Sequence, residues 1–544
     1  PLHSADSTLI YRPMTPLPNP ATRPGWIISR MTMICLFLWP LLAQGQSNCD
    51  DTYPPVVFVH GFLASGDTWT TQIQRFASNG HCQDRYFAFD WNSLAAAGAD
   101  QLLDQFIDSV RLVTGSDQVH LVGHSAGGGR GYSYLSDPAR AAKVISYAHI
   151  GSNPESGPAG PGGSTPTLNI WSEADQVVDG ADIPGAENVQ FAAFDHYQVA
   201  TSAATFSALY EFFYGSAPAT TSITPQSDIT IGGRCITLGE NKPTTGATIE
   251  VFAADPQGSP AGGPLATFTV GADGFWGPLS VTTGTSYLFK ISSPATGFRK
   301  VIYYYEPFVR DNSTVYLRTF PPPFSLAGLL LSAIPNTDDQ SVISIFSSAQ
   351  AVIHGRDQLS LNGYDLSTSS LADASASMIA VFCYDDGADG SGNAEPVGTF
   401  ALVPFLQGAD IPVPTTPEQT WTITFNGSTL PVRNWKSKSD GVVIAVFNEP
   451  TSISGTHDLP SERTTLSITP NPASGYTFLH LPGIILDPAK IILRDHLGRQ
   501  VPANMTPAGD EQVLLNTTGL PCGTYTLSVA TESGWISSFL IIHP

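Results

Sequence analysis

The chain has 544 residues, more than one ordinary domain holds, so three or four domains are expected. Its 42% apolar and 13% charged residues exclude a wholly disordered chain. The 24 basic against 46 acidic residues, a formal net charge of -22, set it against phosphate backbones and anionic membrane surfaces, so no nucleic-acid partner is expected.

Residues 1–45 read as a signal peptide with upstream sequence. The first residue is Pro1 rather than Met, which points to Met14 or Met31 as the start. Arg23 and Arg30 give a basic flank, Ile34 to Leu42 a short apolar core, and Ala43-Gln44-Gly45 an A-x-A-like cleavage site. That core is too short to span a bilayer, and no other segment reads as an integral membrane span. Cys35 falls inside the signal. Of the other five cysteines, Cys49 and Cys82 are close enough in sequence to pair in an exported protein, and the odd count leaves at least one thiol unpaired.

Residues 46–217 alternate apolar strands with helical stretches. Strands are expected in PPVVFVH (54–60), RYFAFDW (85–91), QVHLVGH (118–124), KVISYAHIGS (143–152) and TLNIWSEAD (167–175). Their near-continuous apolar character is that of strands covered on both faces of a parallel sheet. Leu102, Leu103, Phe106, Ile107 and Val110 place one face of a helix over 97–113, and 205–215 reads as a closing helix. This alternation predicts an open α/β sheet. A Pro/Thr/Ser-rich linker occupies 218–228, after which helical periodicity stops. Residues 229–320 read as a β-sandwich and 321–456 as a second β-domain, each built from short strands such as VIYYYEPF and GVVIAVFNEP. Within the latter, the apolar run FSLAGLLLSAI (324–334) reads as a buried strand or helix, or as a lipid-contacting edge. DDGADGSGN (385–393) hints at a calcium loop, but Gly387 takes a ligand position and no glutamate closes it. Residues 463–544 read as one more small β-domain.

The chemistry concentrates at Gly123-His124-Ser125-Ala126-Gly127, a G-x-S-x-G pattern after an apolar strand and before a helix. Such an elbow holds a serine in a strained conformation at a strand's C-terminal edge, and the small neighbours let strand and helix approach. A serine hydroxyl attacks only when a histidine takes its proton, and that histidine needs a carboxylate to fix its tautomer. Asp175 follows 50 residues after Ser125 at a strand end, and His196 lies 21 residues further on in a loop. Asp179 and Asp195 are the rival acids and His149 the rival base; His120 and His124 read as structural. An oxyanion hole needs two backbone N–H donors. Ala126, beside the nucleophile, and Phe62, in His60-Gly61-Phe62 after the first strand, are the expected pair. Phe62, Leu63 and Trp69 are candidates for an acyl pocket or for core.

These motifs, HGFLASGDTW, GHSAGG, WSEADQVV and DHYQVATS, resemble bacterial lipases and esterases of the α/β-hydrolase fold, in a subgroup whose β-rich domains follow the catalytic one. The resemblance implies a mostly parallel sheet with flanking helices followed by β-sandwich domains that help present lipid. The sequence departs from the family's pattern at Gly127–Gly129, where a bulkier residue is usual, so a loosened first helical turn is expected there. The C-terminal stretches SITPNPASG, LRDHLGRQV and GTYTLSV resemble the sorting domain of type IX secretion cargo, which implies export to the cell surface or beyond by that machinery. The expectation is a secreted serine ester hydrolase with no cofactor, acting on lipid or acyl esters. The alternatives are a polyesterase that docks an insoluble polymer through its β-domains and a non-catalytic surface-binding protein.

Overall fold

The computed structural model describes residues 49–323, 325–400, 403–448, 467–481, 486–495, 499–509, 512–531 and 534–542. The signal-peptide reading lies outside them. Residues up to 449 group into one compact unit and those from 450 into a second.

The first unit begins with a six-stranded sheet. Its strands are β1 (Val56–Val59), β2 (Tyr86–Phe89), β3 (Val119–His124), β4 (Val144–Ile150), β5 (Thr167–Ser172) and β6 (Glu187–Phe191), ordered β2-β1-β3-β4-β5-β6 and all parallel. Alternate side chains of β1 enter opposite cores. Val56 and Phe58 pack with α1 (Thr70–Ser78), while Val57 and Val59 pack with α2 (Ala99–Thr114) and α3 (Ala126–Leu135). Burying side chains of this size contributes about 1.5–3 kcal/mol each, and both faces of the sheet use it.

Leu103, Ile107 and Val110 form the buried stripe of α2, but Leu102, expected on the same face, is 55% exposed. It precedes Leu103 by one residue, about 100° around the helix axis. The short α4 (Pro138–Ala141) precedes β4, and the short α5 (Gln198–Thr201) leads to α6 (Ala203–Tyr214), which Ser202 caps by accepting the Thr205 N–H and which Gly215 ends in a left-handed conformation. Trp69 is fully buried, stacked on Phe58 at 4.9 Å, and so belongs to the core. Cys49 and Cys82 form a disulfide; Cys235, Cys383 and Cys522 are free thiols.

Residues 228–447 do not divide into two separate sandwiches. A nine-stranded sheet takes four strands from before residue 320 and five from after it. Val442–Phe447 lies at the seam, parallel to Val301–Tyr305 on one side and to Ile343–Ser347 on the other. Side chains of Val301–Tyr305 alternate between two cores, with Val301, Tyr303 and Tyr305 on one face and Ile302 and Tyr304 on the other. A three-stranded sheet covers the first face and a four-stranded sheet the second. The two sandwiches therefore share their middle layer.

The run 324–334 holds a short helix, Leu326–Leu330, followed by a 3-10 turn. Ala327, Leu331 and Ile334 are buried, while Leu329 is 65% exposed. The loop 385–393 closes on itself, because the Asp385 carboxylate accepts the N–H groups of Asp389 and Gly390.

The second unit is a seven-stranded sheet over Ser467–Ile542, with its own core of Leu479, Leu493, Val513, Leu515, Leu527 and Leu540. Among the described residues no helix is long and apolar enough to cross a membrane.

Candidate active site

Ser125 sits between the end of β3 and the start of α3 with φ 55° and ψ -123°, a strained conformation for a residue with a side chain. The close approach that this elbow requires is visible at Gly61, where a β-carbon falls 3.0 Å from Cβ of Ser125. The loop after β1 therefore lies against the serine.

His196 follows β6 and precedes α5. Its Nε2 is 2.9 Å from Ser125 Oγ, and its Nδ1 is 2.7 Å from Asp175 Oδ2. His196 is 3% exposed and Asp175 7%, so their pairing is shielded from water. Burial opposes ionisation of Asp175, yet the hydrogen bond from His196 and the N–H groups of Val177 and Val178 hold its carboxyl below the usual value. Because this carboxylate accepts at Nδ1, the unprotonated Nε2 faces the Ser125 hydroxyl.

The rival residues lie outside this hydrogen-bonded series. Asp179 is exposed. Asp195 turns back to accept the N–H groups of Tyr197 and Gln198, opening α5. His149 contacts the Tyr147 hydroxyl and the Asn153 carbonyl. His120 contacts Ser146 Oγ. His124 donates from Nε2 to the His196 carbonyl at 2.8 Å, and burial pushes its ring down to about 3, so it stays neutral.

Of the expected oxyanion donors, Ala126 opens α3, where a first-turn N–H has no intrahelical acceptor. Phe62 follows Gly61, whose carbonyl accepts a 2.8 Å hydrogen bond from His60 Nδ1–H. A trans peptide points its C=O and N–H in opposite directions. Fixing the Gly61 carbonyl therefore fixes the direction of the Phe62 N–H. His60 is itself held in that tautomer, because its Nε2 accepts from the Trp91 N–H at 3.2 Å and from Asn241 Nδ2 at 3.1 Å. Phe62 and Ala126 are both exposed.

Two contributors from beyond residue 217 have no signal in the sequence: Asn241, behind the Phe62 loop, and Phe405. The Phe405 ring lies parallel to the His196 ring, 9° apart in plane with centroids at 5.9 Å, on a backbone at φ 70°. Among the described residues no three His, Cys, Asp or Glu side chains gather as a metal site.

Residues 56–222 match the Alpha/beta hydrolase family model, 227–322 the Lipase C-terminal domain, 346–449 a further C-terminal domain model, and 467–543 the Secretion system C-terminal sorting domain. Similar solved structures include Bacillus licheniformis lipase BlEst2, at 16% identity over 31% of this chain and 94% of that one, with a TM-score of 0.25. Naproxen esterase from Bacillus subtilis matches at 15% identity over 30% and 85%, TM-score 0.25. Aspergillus fumigatus lipase B matches at 13% over 32% and 56%, TM-score 0.26. The chain thus carries an α/β-hydrolase segment, a lipase C-terminal segment and a type IX secretion sorting segment, in that order.

Proposed function

We propose that the protein is a secreted serine carboxylic-ester hydrolase, a lipase or esterase acting on lipid or acyl esters. The observation that carries this reading is the hydrogen-bonded series from Ser125 Oγ through His196 to Asp175, at 2.9 and 2.7 Å, on a strained elbow. Ser125 Oγ attacks the ester carbonyl as its proton passes to His196 Nε2. The N–H groups of Phe62 and Ala126 hold the oxygen that gains charge, and Asp175 stabilises the imidazolium. His196 then protonates the departing alkoxide, leaving an acyl group on Ser125. A water, giving its proton to His196, attacks the acyl carbon and releases the carboxylic acid and free serine. No cofactor enters any step. Type IX secretion machinery is the proposed partner of the C-terminal segment and carries the enzyme outward.

The test is Ser125→Ala. Hydrolysis of p-nitrophenyl esters falls by roughly a millionfold, towards background, while circular dichroism and melting temperature stay at wild-type values. Full activity in a folded Ser125→Ala protein rules the mechanism out.

A further inference from the structure

We propose that Arg356 is a positioning residue of the active site, holding His196 in line with Ser125 by way of Asp195. The proposal rests on the serine-hydrolase reading and deepens it.

His196 has no helix or strand of its own; it lies in the short passage between β6 and α5. Its carbonyl is taken on one side by His124 Nε2 at 2.8 Å. On the other side the preceding residue, Asp195, is 3% exposed and acts as a hub. Its Oδ1 accepts the N–H groups of Tyr197 at 2.8 Å, Gln198 at 2.9 Å and Ala351 at 3.3 Å, and its Oδ2 pairs with Arg356 Nη1 at 2.8 Å. Arg356 Nη1 also donates to Gln198 Oε1 at 3.0 Å, while Nε and Nη2 meet Asp357 Oδ2 at 2.9 and 2.8 Å.

Asp357 does not drift with its partner. It is 6% exposed and accepts from Gln350 Nε2 at 2.6 Å, the Ile353 N–H at 2.9 Å and Asn426 Nδ2 at 2.9 Å. One more contact runs alongside, from the Thr201 hydroxyl to the Ala349 carbonyl. Residues 349–357 thus grip residues 195–201, and the grip reaches the chain one residue before the base.

An arginine suits this place because its planar fork reaches Asp195, Gln198 and Asp357 together; a lysine ammonium is a single point charge on a flexible stem. Without the guanidinium, the nearly buried Asp195 carboxylate loses its counter-charge and the passage carrying His196 relaxes. A shift of 1 Å in a reacting group slows a reaction by about 10²-fold.

The experiment measures kcat and KM on p-nitrophenyl butyrate and the rate of fluorophosphonate labelling. It compares wild type, Arg356→Ala, Arg356→Lys, Asp195→Asn and Arg356→Ala in the Asp195→Asn background. Arg356→Ala is expected to lose at least tenfold in kcat with KM within twofold, with labelling slowed by the same factor, and Arg356→Lys recovers part of the loss. In the Asp195→Asn background Arg356→Ala costs less than a further threefold, since the route is already cut. A kcat within twofold of wild type for Arg356→Ala, or an equal loss in both backgrounds, overturns the proposal. Should Arg356→Ala fail to fold, Arg356→Lys decides: a threefold or larger loss in kcat at constant KM is expected, and a wild-type kcat overturns it. A wild-type protein that neither hydrolyses the ester nor takes the probe refutes the serine-hydrolase reading itself.

Discussion

A β-carbon at Gly127 falls 2.3 Å from the Val59 carbonyl oxygen and 2.6 Å from that of His60, whereas one at Gly129 meets nothing within 4 Å. At Gly128 the added atom strikes Ser152 Cβ at 2.6 Å, and the Gly128 carbonyl accepts a hydrogen bond from Tyr147. The first turn of α3 is thus pressed onto β1 and pinned from β4, not loosened as the run of glycines leads one to expect. Gly127→Ala is expected to destabilise the first unit by about 3 kcal/mol, because backbone oxygens cannot step aside as a flexible side chain can. Gly129→Ala is expected to stabilise it by about 0.8–1 kcal/mol through helix propensity alone. Melting temperatures of the two variants should therefore move in opposite directions, and a shared direction refutes the packing argument. Ser125, Asp175 and His196, which the structure brings within hydrogen-bonding distance, were legible in the sequence because each follows a strand in a fixed order. Asp195 was legible only as a rival acid, since its real partner, Arg356, lies 161 residues later in the chain.

Among the elements, the strands with unbroken apolar runs were readable and α1 was not. Its sequence TTQIQRFAS is polar, yet seven of its nine residues are buried, including Arg75 at 1% exposure. The reason is that Arg75 donates to the carbonyls of Thr201 and Thr221, and Thr70 to that of Thr314. Hydrophobic periodicity cannot report a helix buried by hydrogen bonds to distant backbone. The seam of the nine-stranded sheet was likewise invisible, because parallel pairing joins strands far apart in the chain. Just past that seam, Glu306 accepts the Asn448 N–H at 2.7 Å and so ties the ends of two parallel strands. Burial pushes the Glu306 carboxyl up to about 7, against the lowering effect of Asn448 and Ser428. An unfolded glutamate titrates at about 4.3, so between there and about 7 the folded chain holds a proton that the unfolded chain has lost. This contribution to stability is complete at low pH, declines as pH rises through that window and is gone above it. Glu306→Gln keeps an acceptor for Asn448 and removes the charge. Its melting temperature should match wild type near pH 4 and exceed it at pH 8; an equal difference at both values counts against a buried, proton-holding Glu306.

Taken as a whole molecule, the hydrolase sheet and the β-layers that follow it belong to one compact unit, although the sequence between them reads as a linker. Asp90, whose side chain is 1% exposed, pairs with Arg234 at 2.6 Å and accepts from the Tyr316 hydroxyl at 2.9 Å. Arg318 pairs with Asp67 at 3.1 Å, and Arg310 donates to Ser78 Oγ at 2.7 Å. Removing one partner of a buried ion pair costs about 3–5 kcal/mol, a large part of a domain's net stability. A chain ending at residue 217 loses the arginine partners of Asp90 and Asp67 together, as well as Asn241 behind the Phe62 loop and Arg356 behind His196. Residues 467–542, by contrast, close a separate core, and the contacts named here lie within residues 49–448. A chain ending at 449 is therefore expected to be soluble and to hydrolyse p-nitrophenyl butyrate with kcat within about twofold of the full chain. One ending at 217 is expected to be insoluble or at least a hundredfold slower, in keeping with the effect of about 1 Å of misplacement at a reacting group. Purifying both and comparing turnover checks this, and a soluble fragment ending at 217 with full activity overturns the claim that the β-layers complete the site.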